Sequence, residues 1–234
     1  MLVLVTRPHE QAAATAQALE ALGHRVLIDP ILTIRPLPRS ALPSERPAAV
    51  AITSANAAPA LAWIDSTVPV FAVGAATAAA AHAAGRTAVH VASGDGQALA
   101  ALITARLGPD TGVILHLSGA DVREGLEAGL VAAGYRYRRA AVYEAVPADR
   151  LAPATAAAIA DRQLGAALFY SPRSAAIWAQ LITRLGLADR LAATLAVCLS
   201  EAVAVPLARL AFQEIRVADA RDQKGLLRCL DGTA

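Results

Sequence analysis

The sequence predicts an α/β protein of two lobes, each a doubly wound parallel sheet with helices on both faces, joined by a two-stranded linker. Three observations carry that expectation. Short apolar runs alternate with helix-length segments along the whole chain. The pattern repeats internally. Proline-bearing connections near 36–47 and 146–153 interrupt it.

In chain order, Leu2–Val5 reads as a short buried strand, and Thr6-Arg7-Pro8 starts a helix because proline suits a first turn. Ala12, Ala16 and Leu19 give that helix an apolar stripe, and Gly23 ends it. A strand follows over Arg25–Ile28. The segment from Arg35 to Pro47 holds four prolines, which rule out a helix and mark a linker. Ala49–Ile52 is a strand, and Thr53-Ser54-Ala55-Asn56 caps a helix through Trp63. Val70–Val73 leads through Gly74 and Thr77 into a helix ended by Gly85. Ala88–Val91, Ser93-Gly94-Asp95-Gly96 and a helix over Gln97–Leu107 follow. Val113–Leu117 then runs into Ser118-Gly119 and a helix expected through Ala133. The strand from Tyr135 closes on Val142-Tyr143-Glu144.

Beyond Pro153 come a helical run and a strand over Ala166–Tyr170. Ser171-Pro172 opens an amphipathic helix with Ile177, Trp178, Leu181, Ile182 and Leu185 on one face. Leu195–Leu199 precedes Ser200-Glu201 and a helix that Pro206 kinks. Ile215–Val217 and a helix over Gln223–Leu230 complete the chain.

The repeat sets the domain expectation. The Leu4–Gly23 stretch resembles His116–Gly134, and Ala51–Thr77 resembles Leu168–Ser200. The connection from Leu107 to Val113 is short, so the middle of the chain is expected to form one continuous lobe, residues 43–141. Residues 1–34 and 151–234 then make the other lobe, and 35–42 and 142–150 become linker strands. Five strands are expected per lobe.

Composition narrows function. Of 234 residues 56% are apolar, yet the uncharged stretches Pro47–Ile64 and Ser66–Gly85 are broken by polar residues, Pro59, Pro69 and Gly74. Neither reads as a membrane span. Leu2–Val5 is too short for a signal peptide, and two cysteines without close spacing suit a reducing compartment, so a cytoplasmic protein is expected. A net charge of +2 argues against a nucleic-acid partner. Tyr135-Arg136-Tyr137-Arg138-Arg139 reads as an edge strand by its period of two. The single lysine, Lys224, sits in a polar run and is a poor Schiff-base candidate. Walker and Gly-x-Ser-x-Gly motifs are absent, Gly94-Asp95-Gly96 lacks the third glycine of a dinucleotide loop, and the five histidines have no metal spacing.

In open parallel sheets ligands sit beyond the carboxyl ends of the strands. There the sequence puts Thr6, Arg7, Ser54, Gly74, Thr77, Ser118, Gly119, Ser171 and Ser200, mostly small hydroxyls or glycines at helix starts. Any one of them can be a helix cap. Together they describe a cleft of backbone N–H groups and positive dipole ends suited to an anion. Tyr143, at one crossing between lobes, is expected beside that cleft.

Six marks, in order and spacing, resemble the uroporphyrinogen-III synthase family over nearly the whole chain. They are Val5-Thr6-Arg7-Pro8, Ile52-Thr53-Ser54-Ala55-Asn56, Ala72-Val73-Gly74 with Thr77, Ser118-Gly119 with Arg123-Glu124, Val142-Tyr143-Glu144, and Phe169-Tyr170-Ser171-Pro172. The resemblance implies two flavodoxin-like lobes and a cofactor-free, water-eliminating lyase that closes hydroxymethylbilane with inversion of its last ring. It implies Tyr143 as proton donor to the departing hydroxymethyl oxygen, and Thr77, Ser171 and Ser200 as cleft positions. Cys198-Leu199-Ser200-Glu201 departs from the family pattern, and Glu201 adds negative charge near an anionic substrate. The expected partners are the bilane and the preceding pathway enzyme; no metal is expected, and the chain is expected to be a monomer. Two rival readings are a two-lobed binding protein for an anionic metabolite and a nucleotide-using transferase.

Overall fold

A computed structural model of the chain describes residues 1–39, 42–121 and 125–230. Arg123 and Glu124 of the family marks, residues 40–41 of the expected linker and the last four residues lie outside the described residues. The fold is mixed α/β with predominantly parallel sheets. The chain forms two compact units, Met1–Thr33 with Val146–Ala234, and Ile34–Ala145.

In the first unit, β1 (Leu2–Val5), β2 (Arg25–Ile28), β9 (Leu164–Phe169), β10 (Leu195–Cys198) and β11 (Glu214–Val217) form a sheet ordered β11-β10-β9-β1-β2. Every neighbouring pair is parallel. Alternate residues bury on opposite faces, as the strand pleat requires. Leu4, Ala167, Phe169 and Cys198 pack with Trp178, Leu181 and Ile182 of α6 (Pro172–Arg184). On the other face Val3, Val5, Leu168 and Val197 pack with Ala12 and Leu19 of α1 (His9–Ala21) and with Leu226 of α8 (Gln223–Arg228). Of the stripe expected on α6, Leu185 is exposed, because it is the residue on which the helix ends.

In the second unit, β3 (Leu32–Pro36), β4 (Ala49–Ile52), β5 (Val70–Ala72), β6 (Val89–Val91), β7 (Val113–Gly119) and β8 (Arg136–Pro147) are ordered β3-β8-β7-β4-β5-β6. Strands β4 to β8 pair in parallel. The strand beyond the expected five is β3, of which Arg35 and Pro36 fall in the expected linker strand 35–42 and the rest in residues expected for the first lobe. Leu37 N–H donates to Val142 O and Ala148 N–H donates to Ile31 O, so this stretch runs antiparallel to β8. A sheet edge tolerates Pro36, whose missing N–H breaks no ladder on the open side. β3 and β8 also contain the two places where the chain passes from one unit to the other.

The two sheets share one spatial order and differ in where the chain enters it. β9, β10, β11, β1 and β2 correspond to β4, β5, β6, β7 and β8. In the first unit the chain enters at β1, giving the flavodoxin-like 2-1-3-4-5 order; in the second it enters at β4, giving 3-2-1-4-5. The flavodoxin-like order implied for both lobes therefore holds for one. In the other the two halves of the repeat occur in reverse sequence.

Helices cover the second sheet as well. Ala78 and Ala81 of α2 (Ala75–Ala83) and Leu61 pack on the Ile52–Leu117 face, while Leu99 and Ile103 of α3 (Gly96–Arg106) and Leu126 and Leu130 of α4 (Leu126–Ala132) pack on the Ala51–Ile114 face. Two expectations are corrected here. The Ala55–Trp63 helix is 3-10 throughout, with Pro59 inside it. The helix expected directly after Ser118-Gly119 begins at Leu126, since β7 runs on through Gly119 and Gly125 turns in at φ 116°.

In the first unit, α5 (Pro153–Ala160) precedes β9, and the rings of Phe169, Trp178 and Phe212 gather where β9 ends. Trp178 is stacked on Phe212 at 5.6 Å between ring centres. The helix after Ser200, α7 (Glu201–Ala204), gives way to 3-10 turns at Val205–Leu207, where Pro206 stands. No described helix is long and apolar enough to cross a membrane.

Candidate functional site

In each sheet the strand order reverses direction of growth at one point, between β1 and β9 in the first unit and between β4 and β7 in the second. Crevices at such points are where open parallel sheets bind ligands. In the second unit that crevice is a cavity of about 430 Å³ lined by Thr53, Ser54, Val73, Gly94, Asp95, Gly96, Gly119, Asp121, Leu126 and Tyr143.

Tyr143 enters it through an irregularity in β8. Ser118 pairs with Ala141 but Gly119 pairs with Tyr143, so one extra residue, Val142, is accommodated on β8. Such a bulge re-aims the side chain that follows it. Neighbouring side chains of a parallel pair share a face, and Gly119 has none, so the Tyr143 ring lies across the end of β7. The backbone there is closed by Ala120 N–H donating to Tyr143 O at 2.8 Å. The outer flank of β8 is held by Arg35 Nε, which donates to Glu144 Oε1 at 2.7 Å.

Ser54 caps the 3-10 helix, its Oγ accepting from Asn56 N–H at 3.2 Å. Asp95 caps α3, accepting from Ala98 N–H at 2.7 Å. That carboxylate already occupies the N-terminus of α3, and Asp121 adds a second to the lining. The described lining is therefore hydroxyl-bearing and carries two carboxylates. Gly74 N-caps α2 beside the cavity, and a Cβ on it would stand 3.9 Å from Gly94 Cα. Thr77 and Ser118 are buried, and Ser118 Oγ donates to Gly119 O at 2.9 Å.

The other expected residues belong to the first unit. Thr6 is buried, its hydroxyl donating to Leu168 O at 2.7 Å across the β1–β9 switch point. Arg7 is held among its own neighbours: Nη2 donates to Gln11 Oε1 at 2.7 Å, Nη1 to Gln223 Oε1 at 3.3 Å, and the guanidinium lies 4.3 Å over the Tyr170 ring. Burial pushes the Tyr170 phenol up from its ordinary value. Ser171 caps α6 by accepting from Ser174 N–H at 3.1 Å. Ser200 stands before the short α7 and its hydroxyl makes no capping bond. A separate hollow of about 570 Å³ in this unit, lined by Asp29, Thr33 and residues 147–153, holds none of the expected site residues.

Sequence reading missed Thr53 and His116. Thr53 Oγ1 is 3.0 Å from His116 Nε2, and His116 Nδ1 is 2.8 Å from Tyr137 Oη. His116 is fully buried, and burial, with the Arg139 guanidinium adding to it, depresses its pKa to about 4. Burial, with Glu127 adding to it, pushes Tyr137 up to about 12. The available signal was that Thr53, like Ser54, follows directly on a strand end. Among the described residues no group of three or more His, Cys, Asp or Glu is placed to hold a metal ion.

The solved structures similar in fold include uroporphyrinogen-III synthetase from Helicobacter pylori 26695, with TM-score 0.65 and 16% identity over 100% of both chains. They also include a mutant uroporphyrinogen III synthase from the extremely thermophilic bacterium Thermus thermophilus, with TM-score 0.54 and 17% identity over 98% of this chain and 97% of that one. No curated protein matches in sequence. The family model described as uroporphyrinogen-III synthase HemD matches residues 13–228. With most of its length matched by that model, the chain belongs to the uroporphyrinogen-III synthase family.

Proposed function

We propose that the chain cyclises hydroxymethylbilane to uroporphyrinogen III, inverting the last pyrrole ring, as a cofactor-independent lyase of haem biosynthesis. The family match over residues 13–228 carries this reading, and the Tyr143 cavity gives it a chemistry. A binding protein without catalysis has no comparable support.

In this reading Tyr143 Oη protonates the hydroxymethyl oxygen, the C–O bond breaks and water leaves. The remaining ring system is an electrophilic azafulvenium cation, whose positive charge the Asp95 carboxylate in the cavity lining favours. The substituted carbon of the fourth ring attacks to give a spiro intermediate. Cleavage and re-closure of that intermediate give the inverted product, and the proton lost from the fourth ring's carbon returns to the Tyr143 phenolate. Because the bilane also closes unaided, the decisive contribution is orientation.

The remaining substrate contacts in this proposal are Ser54, Gly74 and Gly119 of the second unit and Arg7, Ser171 and Ser200 of the first, with the buried Thr6, Thr77 and Ser118 shaping the backbone beneath them. The units act as two lobes joined by linker strands at 35–42 and 142–150. We read the chain as a cytoplasmic monomer that takes the unstable bilane from the preceding pathway enzyme, with Cys198 and Cys229 forming no disulfide, as suits a reducing compartment.

The test is product identity. Purified protein given enzymatically generated hydroxymethylbilane is expected to yield the type III isomer, resolved chromatographically from type I. Type I alone, at the spontaneous rate, overturns the proposal.

A further inference from the structure

Thr53, His116 and Tyr137 form a line of side chains across three neighbouring strands, running from the cavity wall into the sheet's α3–α4 face. Nothing in the fold requires a polar group at its centre. His116 lies opposite Ala51 in the β4–β7 register. The corresponding place in the first sheet, opposite Leu168, is Val5, which is fully buried in a hydrophobic cluster. A buried imidazole costs stability unless both ring nitrogens are matched, and here both are.

The neutral imidazole offers one N–H and one lone pair, so the chain of hydrogen bonds has only two orientations. Either Tyr137 donates to Nδ1 and Nε2–H donates to Thr53, or Thr53 donates to Nε2 and Nδ1–H donates to Tyr137. A phenol is a much stronger acid than an aliphatic hydroxyl, and so the better donor to the imidazole lone pair. The first orientation follows. It leaves the Thr53 proton unused inside the sheet, on a residue that lines the cavity.

We propose that Thr53 donates a hydrogen bond from its hydroxyl to an oxygen of the molecule bound in the Tyr143 cavity, with the buried His116–Tyr137 pair turning that hydroxyl outward. The proposal rests on the reading that this cavity receives the bilane. Thr53 is then a substrate contact, while His116 and Tyr137 are positioning residues. A sheet with an apolar residue in place of His116 would leave the threonine hydroxyl free to turn inward or toward its own backbone.

Two measurements test this on the full chain. Long-range proton–nitrogen NMR of histidine-labelled protein is expected to find His116 protonated on Nε2, and Tyr137→Phe is expected to shift that proton toward Nδ1. Turnover of hydroxymethylbilane to the type III isomer is expected to fall about tenfold or more in kcat/KM for Thr53→Val, the scale of one lost hydrogen bond to a charged or polarised group. Thr53→Ser is expected to recover most of it, and Tyr137→Phe to lie between. A proton on Nδ1 in the unmodified protein, or Thr53→Val with unchanged kcat/KM, overturns the proposal. Failure of the unmodified protein to make the type III isomer counts instead against the reading of the cavity, while the NMR arm still decides the hydroxyl's orientation.

Discussion

The ring of Tyr143 fills the space that a side chain at position 119 would need. A Cβ on Gly119 would lie 2.9 Å from Cε2 and Cζ of Tyr143 and 3.0 Å from its Oη. Glycine is required here by close approach of a neighbouring side chain. Gly119→Ala is expected to push the phenol out of the cavity while leaving the β7 ladder intact. Type III formation should drop by roughly tenfold to a hundredfold, since displacement of a reacting group by about 1 Å is worth that much. Steady-state assay with a far-ultraviolet circular dichroism control checks it.

Tyr143→Phe keeps the ring over Gly119 and removes only the hydroxyl. Turnover to the type III isomer is expected to fall about tenfold to a hundredfold with the fold unchanged. Unchanged turnover would remove the proton-donor role and leave the family membership untouched. Comparing this variant with Gly119→Ala separates loss of the proton from loss of ring position.

His116 makes stability depend on pH. Its pKa is about 4 in the fold against an ordinary 6.5. Unfolding therefore takes up a proton at pH values between the two, and stability falls as pH drops below 6.5 and stops falling from this cause near 4. The total is on the order of 3 kcal/mol. Urea unfolding across that range is expected to trace the loss, and His116→Gln to flatten it. An equal slope in the variant would assign the pH dependence elsewhere.

Arg86 is buried, and its guanidinium donates to the carbonyls of Leu61, Ile64 at 2.7 Å and Asp65 at 2.8 Å. These groups close the end of the 3-10 helix and its exit loop, where backbone acceptors lack partners of their own. Arg86→Met is expected to cost about 2–4 kcal/mol by leaving them buried without donors. The midpoint of chemical unfolding reads the loss, and kcat of the remaining folded protein should stay near its original value because Arg86 does not line the cavity.

Most of the strands and helices were legible in the sequence. Runs such as Val50–Ile52 and Leu164–Phe169 are apolar on both faces because helices cover both sides of the sheet, and a continuous apolar run bounded by turn residues says so directly. Two helix starts were equally readable: Ser54 and Ser171 each accept a backbone N–H there, as Asp95 and Asp222 also do in the structure. Element ends were less so. β3 straddles the expected boundary between lobe and linker strand, because Pro36 marks a connection in sequence while an edge strand tolerates it, and only pairing tells the two apart.

The candidate site was legible in parts. Tyr143, Gly119 and Ser54 were expected at strand ends, and they line one cavity. Thr6 and Ser118 follow the same local rule yet are buried, because a strand-end hydroxyl can turn to a neighbouring backbone as readily as to solvent, and Thr77 is buried within α2. His116 looked like one of five scattered histidines. Its partners are 63 residues away in one direction and 21 in the other, a separation no local pattern spans.

By itself the sequence determined the alternation of strands and helices, the internal repeat and the family, since each depends on the order of residue types along the chain. Only the tertiary structure decided that the repeat's halves enter the second sheet in reverse order, that a bulge at Val142 aims Tyr143 over Gly119, and that Thr53 leans on His116. Those depend on register between strands far apart in the chain, and register is set by how whole sheets pack.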